Sequence, residues 1–128
     1  MNFFDATLVS EDGRLIADTG DFRIHLPEDR KTAFGDYIGK EVALGIRPEN
    51  IHGEPYIPPD IDADPIQGTL EVVELLGHEL HLFLNSGTNS FVAIVDTRLA
   101  PTVGNTIDLL VNVDTVHLFD KDSDLAIR

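Results

Sequence analysis

Two stretches of this chain, Gly39–His52 and Gly104–His117, align without a gap at a constant offset of 104 − 39 = 65 positions. Gly39/Gly104, Leu44/Leu109 and His52/His117 are identities, and Val42/Ile107, Ile46/Val111, Glu49/Asp114 and Ile51/Val116 are near-equivalents. The shared unit reads as a glycine turn, a strand, and a one-turn helix or bend led by an acid able to cap it. A unit of roughly 60 residues is marginal alone, whereas two copies can bury each other's apolar faces. The repeat therefore predicts one pseudo-symmetric body and a single domain over residues 1–128, with units at about 3–52 and 66–119.

The units are expected to be β. Apolar and polar residues alternate in Phe22-Ile24-Leu26, Val42-Leu44-Ile46, Leu80-Leu82-Leu84, Phe91-Ala93-Val95 and Ile107-Leu109-Val111-Val113, the period of a half-buried strand. Turn-forming clusters bound these runs: Ser10–Gly13, Asp18–Asp21, Ser86–Asn89 and Val103–Asn105. Leu70–Leu76 is apolar on both faces and is expected to be the most central strand. Only Thr32–Ile38 and Pro48–Ile51 look briefly helical. Four prolines, Pro55, Pro58, Pro59 and Pro65, oppose both helix and central strand, so residues 53–65 are expected to form a linker or excursion. The fold class is all-β, a duplicated barrel or sandwich.

Composition removes several functional classes. With 9 Lys and Arg against 23 Asp and Glu, the net charge is −14, a field that repels nucleic-acid backbones and anionic membranes. The chain has no cysteine, which excludes disulfides and thiolate metal sites. No stretch approaches the roughly 20 apolar residues of a membrane span, so neither nucleic acid nor direct membrane insertion is expected, and the chain reads as cytosolic.

Recognition enters at Leu44-Gly-Ile-Arg-Pro-Glu-Asn-Ile51. This octapeptide resembles the signature of the C-terminal regulatory domain, the transport-associated OB domain, in ATP-binding subunits of sugar-type ABC importers for maltose, oligosaccharides or glycerol-3-phosphate. Met1-Asn2-Phe3 resembles that family's junction after the nucleotide-binding domain. Val72-Val-Glu-Leu-Leu-Gly-His-Glu79 resembles its strand and turn, and Val116–Asp120 its closing strand. Together these motifs cover nearly the whole chain. The resemblance implies an OB-like barrel related to the duplicated molybdate-binding domains, and a role in regulation and subunit pairing. Its motif residues here are Gly45, Ile46, Arg47, Pro48, Glu49, Gly77 and Glu79, with structural or domain-contact roles.

No phosphate loop and no Leu-Ser-Gly-Gly signature is present, so this chain is not expected to be an enzyme. No cofactor is expected on it; ATP and Mg belong, by the resemblance, to a nucleotide-binding domain elsewhere in the parent. Met1 coincides with an internal position of the family pattern, which implies an excised fragment or a split gene product. The partners implied are a second copy in a homodimer, the parent nucleotide-binding domain and through it the importer's membrane subunits, and a regulatory protein. The location implied is cytoplasmic, peripheral to the membrane. The alternative is a stand-alone barrel that binds an oxyanion or a sugar.

The remaining motifs have structural readings. Arg47 is expected to be salt-bridged within the barrel with Glu49 capping the following turn; the rival reading makes the two a contact pair toward the nucleotide-binding domain. Asp60–Asp64 and Asp120–Asp124 are expected to be solvated acidic loops, since Pro65 stands where a calcium loop begun by the first needs glycine, and the second lacks a terminal glutamate. His78 and His81 lie three apart and point to opposite faces of a strand. Ser86–Ser90 reads as a hairpin loop. No metal ligand or catalytic residue is expected.

Overall fold

The computed structural model describes residues 1–127, and among these ten strands form two five-stranded sheets. The first sheet has the order β10-β4-β1-β2-β3 and the second β5-β9-β6-β7-β8, with every pairing antiparallel. The strands are β1 (Asn2–Glu11), β2 (Arg14–Asp18), β3 (Arg23–His25), β4 (Glu41–Ile46), β5 (Ile51–His52), β6 (Ala63–Leu76), β7 (Glu79–Ser86), β8 (Asn89–Val95), β9 (Thr106–Asn112) and β10 (His117–Asp120). One short α-helix, α1 (Lys31–Gly35), and 3-10 turns at Glu28–Arg30, Pro48–Asn50 and Val113–Thr115 complete the described elements. The fold is all-β and OB-like.

Period-two alternation dictates which side chains meet. Along β1 the buried apolar positions are Phe4, Ala6 and Leu8, along β7 Leu80, Leu82 and Leu84, and along β8 Phe91, Ala93 and Val95; they join one cluster with Leu44, Ile46, Ile66, Leu109 and Val111. The core thus draws on both sheets. β1 is not among the alternating runs named above, although Phe4-Ala6-Leu8 obeys the same rule.

The two sheets correspond strand for strand: β1, β2, β3, β4 and β10 match β6, β7, β8, β9 and β5. The units also exchange their last strands. β5, at the end of the first, pairs β9 of the second through His52↔Leu110, while β10, at the end of the second, pairs β4 of the first through His117↔Gly45. Each histidine meets its partner at the equivalent register. Polar bridges between the sheets repeat as well. The Asn2 side chain accepts from Val92 N–H and donates to Val92 C=O, both at 2.8 Å. At the related place the Asp64 carboxylate accepts from His25 N–H at 2.6 Å.

Two expectations need correction. β6 is central in sheet order, but its far half is not. β9 pairs only Ala63–Thr69, so beyond Leu70 the strand is held by β7 alone, and Val72, Leu75 and Leu76 are exposed. Apolar residues on both faces there mark a projecting hairpin, not a buried strand. Residues 63–65 of the expected linker are strand, with Pro65 opposite Leu110. Pro65 is tolerated because β7 does not begin to pair β6 until Thr69, leaving the missing N–H on an edge.

Candidate functional site

The octapeptide forms the corner where β4 leaves the first sheet. Ile46 is fully buried, Arg47 stays extended (φ −73°, ψ 140°), and Pro48 opens the 3-10 turn, a position suited to a residue with no N–H to donate. Asn50 N–H closes the turn on Arg47 C=O at 3.0 Å. The turn packs against β8 of the other sheet, so this corner ties the sheets together. Arg47 and Glu49 are both exposed. Among the described residues Arg47 makes no ion pair, and no side chain caps the Pro48 turn, which corrects the structural reading of both residues. In the second unit the cap does exist: Asn112 accepts from Asp114 N–H at 3.3 Å.

Gly45 is the least replaceable residue of the corner. Phe3, on β1, and His117, on β10, flank it directly. Phe3 and Phe119 meet edge to face at 5.6 Å between ring centres, and His117 lies 6.4 Å from Phe119. A Cβ at Gly45 would fall 2.6 Å from Met1 Sδ and 2.9 Å from Phe119 Cε2. The missing side chain therefore lets an apolar cover of Met1 and two aromatic rings lie across three strands. Phe3 and Met1 remain exposed on its outer side. Burial, together with the Arg47 and Arg30 charges, pushes the His117 pKa below its ordinary value, so an uncharged imidazole faces the arginines.

Gly77 and Glu79 sit elsewhere. Gly77 takes φ +62° in the two-residue turn between β6 and β7, which closes at Leu76↔Glu79. Glycine first with positive φ is the requirement of a type II′ hairpin. His78 is exposed in that turn, and His81 Nε2 lies 3.7 Å from Glu79. The motif residues thus divide between a corner of the first sheet and a hairpin tip of the second.

Residues 86–90 form the β7–β8 hairpin, whose Asn89 donates to the Asp21 carboxylate at 2.8 Å. Of the acids at 60–64, Asp60 and Asp62 stay exposed and Asp64 is half-buried; His25 Nε2 is 2.8 Å from Asp62, and His25 Nδ1 is 2.5 Å from Asp64. Asp120 accepts from Asp122 N–H and from the Tyr37 hydroxyl at 3.0 Å. A further cluster escapes sequence reasoning. In the proline-rich excursion Tyr56 lies under the Arg98 guanidinium, 4.3 Å from ring centre to carbon, beside His52 and Pro58. Arg98 grips Asp96 with two bonds of 2.9 Å and holds its carboxyl down at about 2. Burial lowers the His52 pKa. Asp96 and Arg98 lie 40 and 42 positions beyond Tyr56, and no local pattern joins them. Among the described residues no helix is long and apolar enough to cross a membrane.

Comparison with known proteins adds independent findings. The family pattern described as the MalK OB fold domain matches residues 1–51, and the TOBE domain pattern matches residues 44–119. Their overlap, 44–51, is the octapeptide. The chain is 32% identical over its whole length to the oligosaccharides import ATP-binding protein MsmX of Bacillus subtilis, and 33% identical over 99% of its length to the trehalose/maltose import ATP-binding protein MalK of Thermococcus litoralis. In each case it spans 34% of the relative's length. Among solved structures, the cytoplasmic molybdate-binding protein ModG shares the fold, with a TM-score of 0.68 at 14% identity over 91% of this chain and 94% of that one.

Proposed function

The chain belongs to the TOBE domain family of MalK-type importer subunits, and from that premise we propose that it is the C-terminal regulatory and dimerisation domain of the ATP-binding subunit of a sugar-type ABC importer, without ATPase chemistry of its own. The observation that carries the proposal is the end-to-end match to one third of sugar-import ATP-binding proteins. The domain would sit at the cytoplasmic face of the membrane through its parent and steady a pair of ATPase subunits as they open and close. The exposed Met1–Phe3–Phe119 cover and the exposed Arg47 and Glu49 suit contact with the parent's nucleotide-binding domain. ATP and Mg would bind that domain.

The reading as an oxyanion binder rests on fold likeness to ModG, and the Asp21 carboxylate beside the Ser86–Ser90 turn puts negative charge where an anion would need donors. Calorimetric titration with molybdate, sulfate and glycerol-3-phosphate is expected to give no binding heat; saturable heat would favour the rival. Pairing is tested by sedimentation. At −14 per chain two copies repel at long range, while an apolar contact acts at short range and the repulsion is screened within about 8 Å at physiological salt. Association should tighten as salt rises. A monomer at every protein and salt concentration, or a dimer that dissociates on adding salt, would overturn the pairing.

A further inference from the structure

The far half of β6 presents an open sheet edge. Val72–Leu76 pair with Phe83–Glu79 of β7 on one side. On the other side pairing ends at Leu70, which donates to Asn105 C=O and accepts from Gly104 N–H, each within 3 Å. From Glu71 onward the backbone groups on that side have no described partner. Natural sheets usually protect such an edge, because it offers a ready template for another strand.

The side chains at this edge favour occupancy. Cross-strand rows carry an apolar surface through Val95, Leu80 and Leu75 on one face and through Val92, Phe83 and Val72 on the other. Both rows stop at β6, where Leu75 is 66% exposed and Val72 45%. Between them Glu74 makes no ion pair among the described residues, while Glu71 holds a bond from Asn85.

We propose that the edge Glu71–Leu76 is a strand-addition site for a protein partner's extended segment in which apolar and basic residues alternate. Antiparallel addition would set apolar residues opposite Val73 and Leu75 and a basic residue opposite Glu74, continuing the sheet by main-chain hydrogen bonds. Charge opposes a second copy of this chain in the register that sets all four apolar residues of the edge opposite one another. The twofold register that places Val72 opposite Leu76 and Val73 opposite Leu75 also places Glu74 opposite Glu74, and like charges directly opposite destabilise a pair. A basic segment removes that repulsion. The inference does not depend on the importer reading.

The test uses the whole chain and a peptide of about seven residues alternating lysine with valine, followed by fluorescence anisotropy and by hydrogen exchange of individual amides. Saturable binding is expected, with slowed exchange at edge-facing amides of Glu71–Leu76. Glu74→Lys, at an exposed position, should weaken binding about tenfold with the melting temperature unchanged. A peptide alternating glutamate with valine, and the lysine peptide with a central proline, should not bind. Four outcomes overturn the proposal: no saturation at millimolar peptide, equal binding of the proline peptide, an unchanged affinity for Glu74→Lys, or protection confined to other strands. Protection of the same amides by self-association without peptide would assign the edge to a second copy and overturn it too.

Discussion

Gly45 shows how a missing side chain can hold a surface together. Gly45→Ala would force the Phe119 ring to shift and the flexible Met1 side chain to swing away. Overpacking of this kind costs about 1–3 kcal/mol, readable by urea unfolding. In a Phe119→Ala background the same substitution should cost clearly less; equal costs would mean that the ring does not set the constraint. His117 supports a second prediction. Its pKa is lowered in the folded protein from an ordinary 6.5, so the unfolded chain binds more protons between those values. This contribution to stability is complete above pH 6.5 and declines as pH falls through 6.5 toward the lowered value. Melting temperature should therefore drop between pH 7.5 and pH 5.5, and less so in His117→Gln; a steeper drop in that variant would reverse the sign of the argument.

Hairpins were the elements most legible in the residues. Asp12 (φ 52°) and Gly13 (φ 77°) make the two-residue turn between β1 and β2, with Glu11 opposite Arg14, and Gly87 (φ 59°) makes that between β7 and β8. Local turn chemistry sufficed because both strands of a hairpin are neighbours in sequence. Gly77 obeys the same rule, and Gly77→Ala, forced into the left-handed region, should cost about 1–2 kcal/mol. Unfolding by guanidinium measures this, and a neutral result would show that the tip turn relaxes freely. The status of Leu70–Leu76 was not legible, since apolar residues on both faces suit a buried strand and a projecting edge equally. Only the point at which β9 leaves β6 separates the two.

The exchange of last strands makes each half of the molecule dependent on the other. Without β10 the first sheet loses the strand beside β4, and without β5 the second loses the strand beside β9. Fragments 1–57 and 58–128, made separately, should show no cooperative unfolding, and mixing them should restore the β-sheet circular dichroism of the whole chain. A fragment that melts cooperatively alone would refute this interdependence. The sequence by itself determined the all-β class, the glycine-led turns, and the octapeptide that both family patterns share, because these follow from periodicities and spacings within a few residues. Only the tertiary structure decided which unit's strand completes which sheet, that Arg47 and Glu49 make no ion pair among the described residues, that Arg98 and Asp96 meet Tyr56, and that the far edge of β6 is open. Those outcomes depend on where chain segments tens of residues apart come to lie, and burial, pairing and charge at a position belong to its neighbours in space.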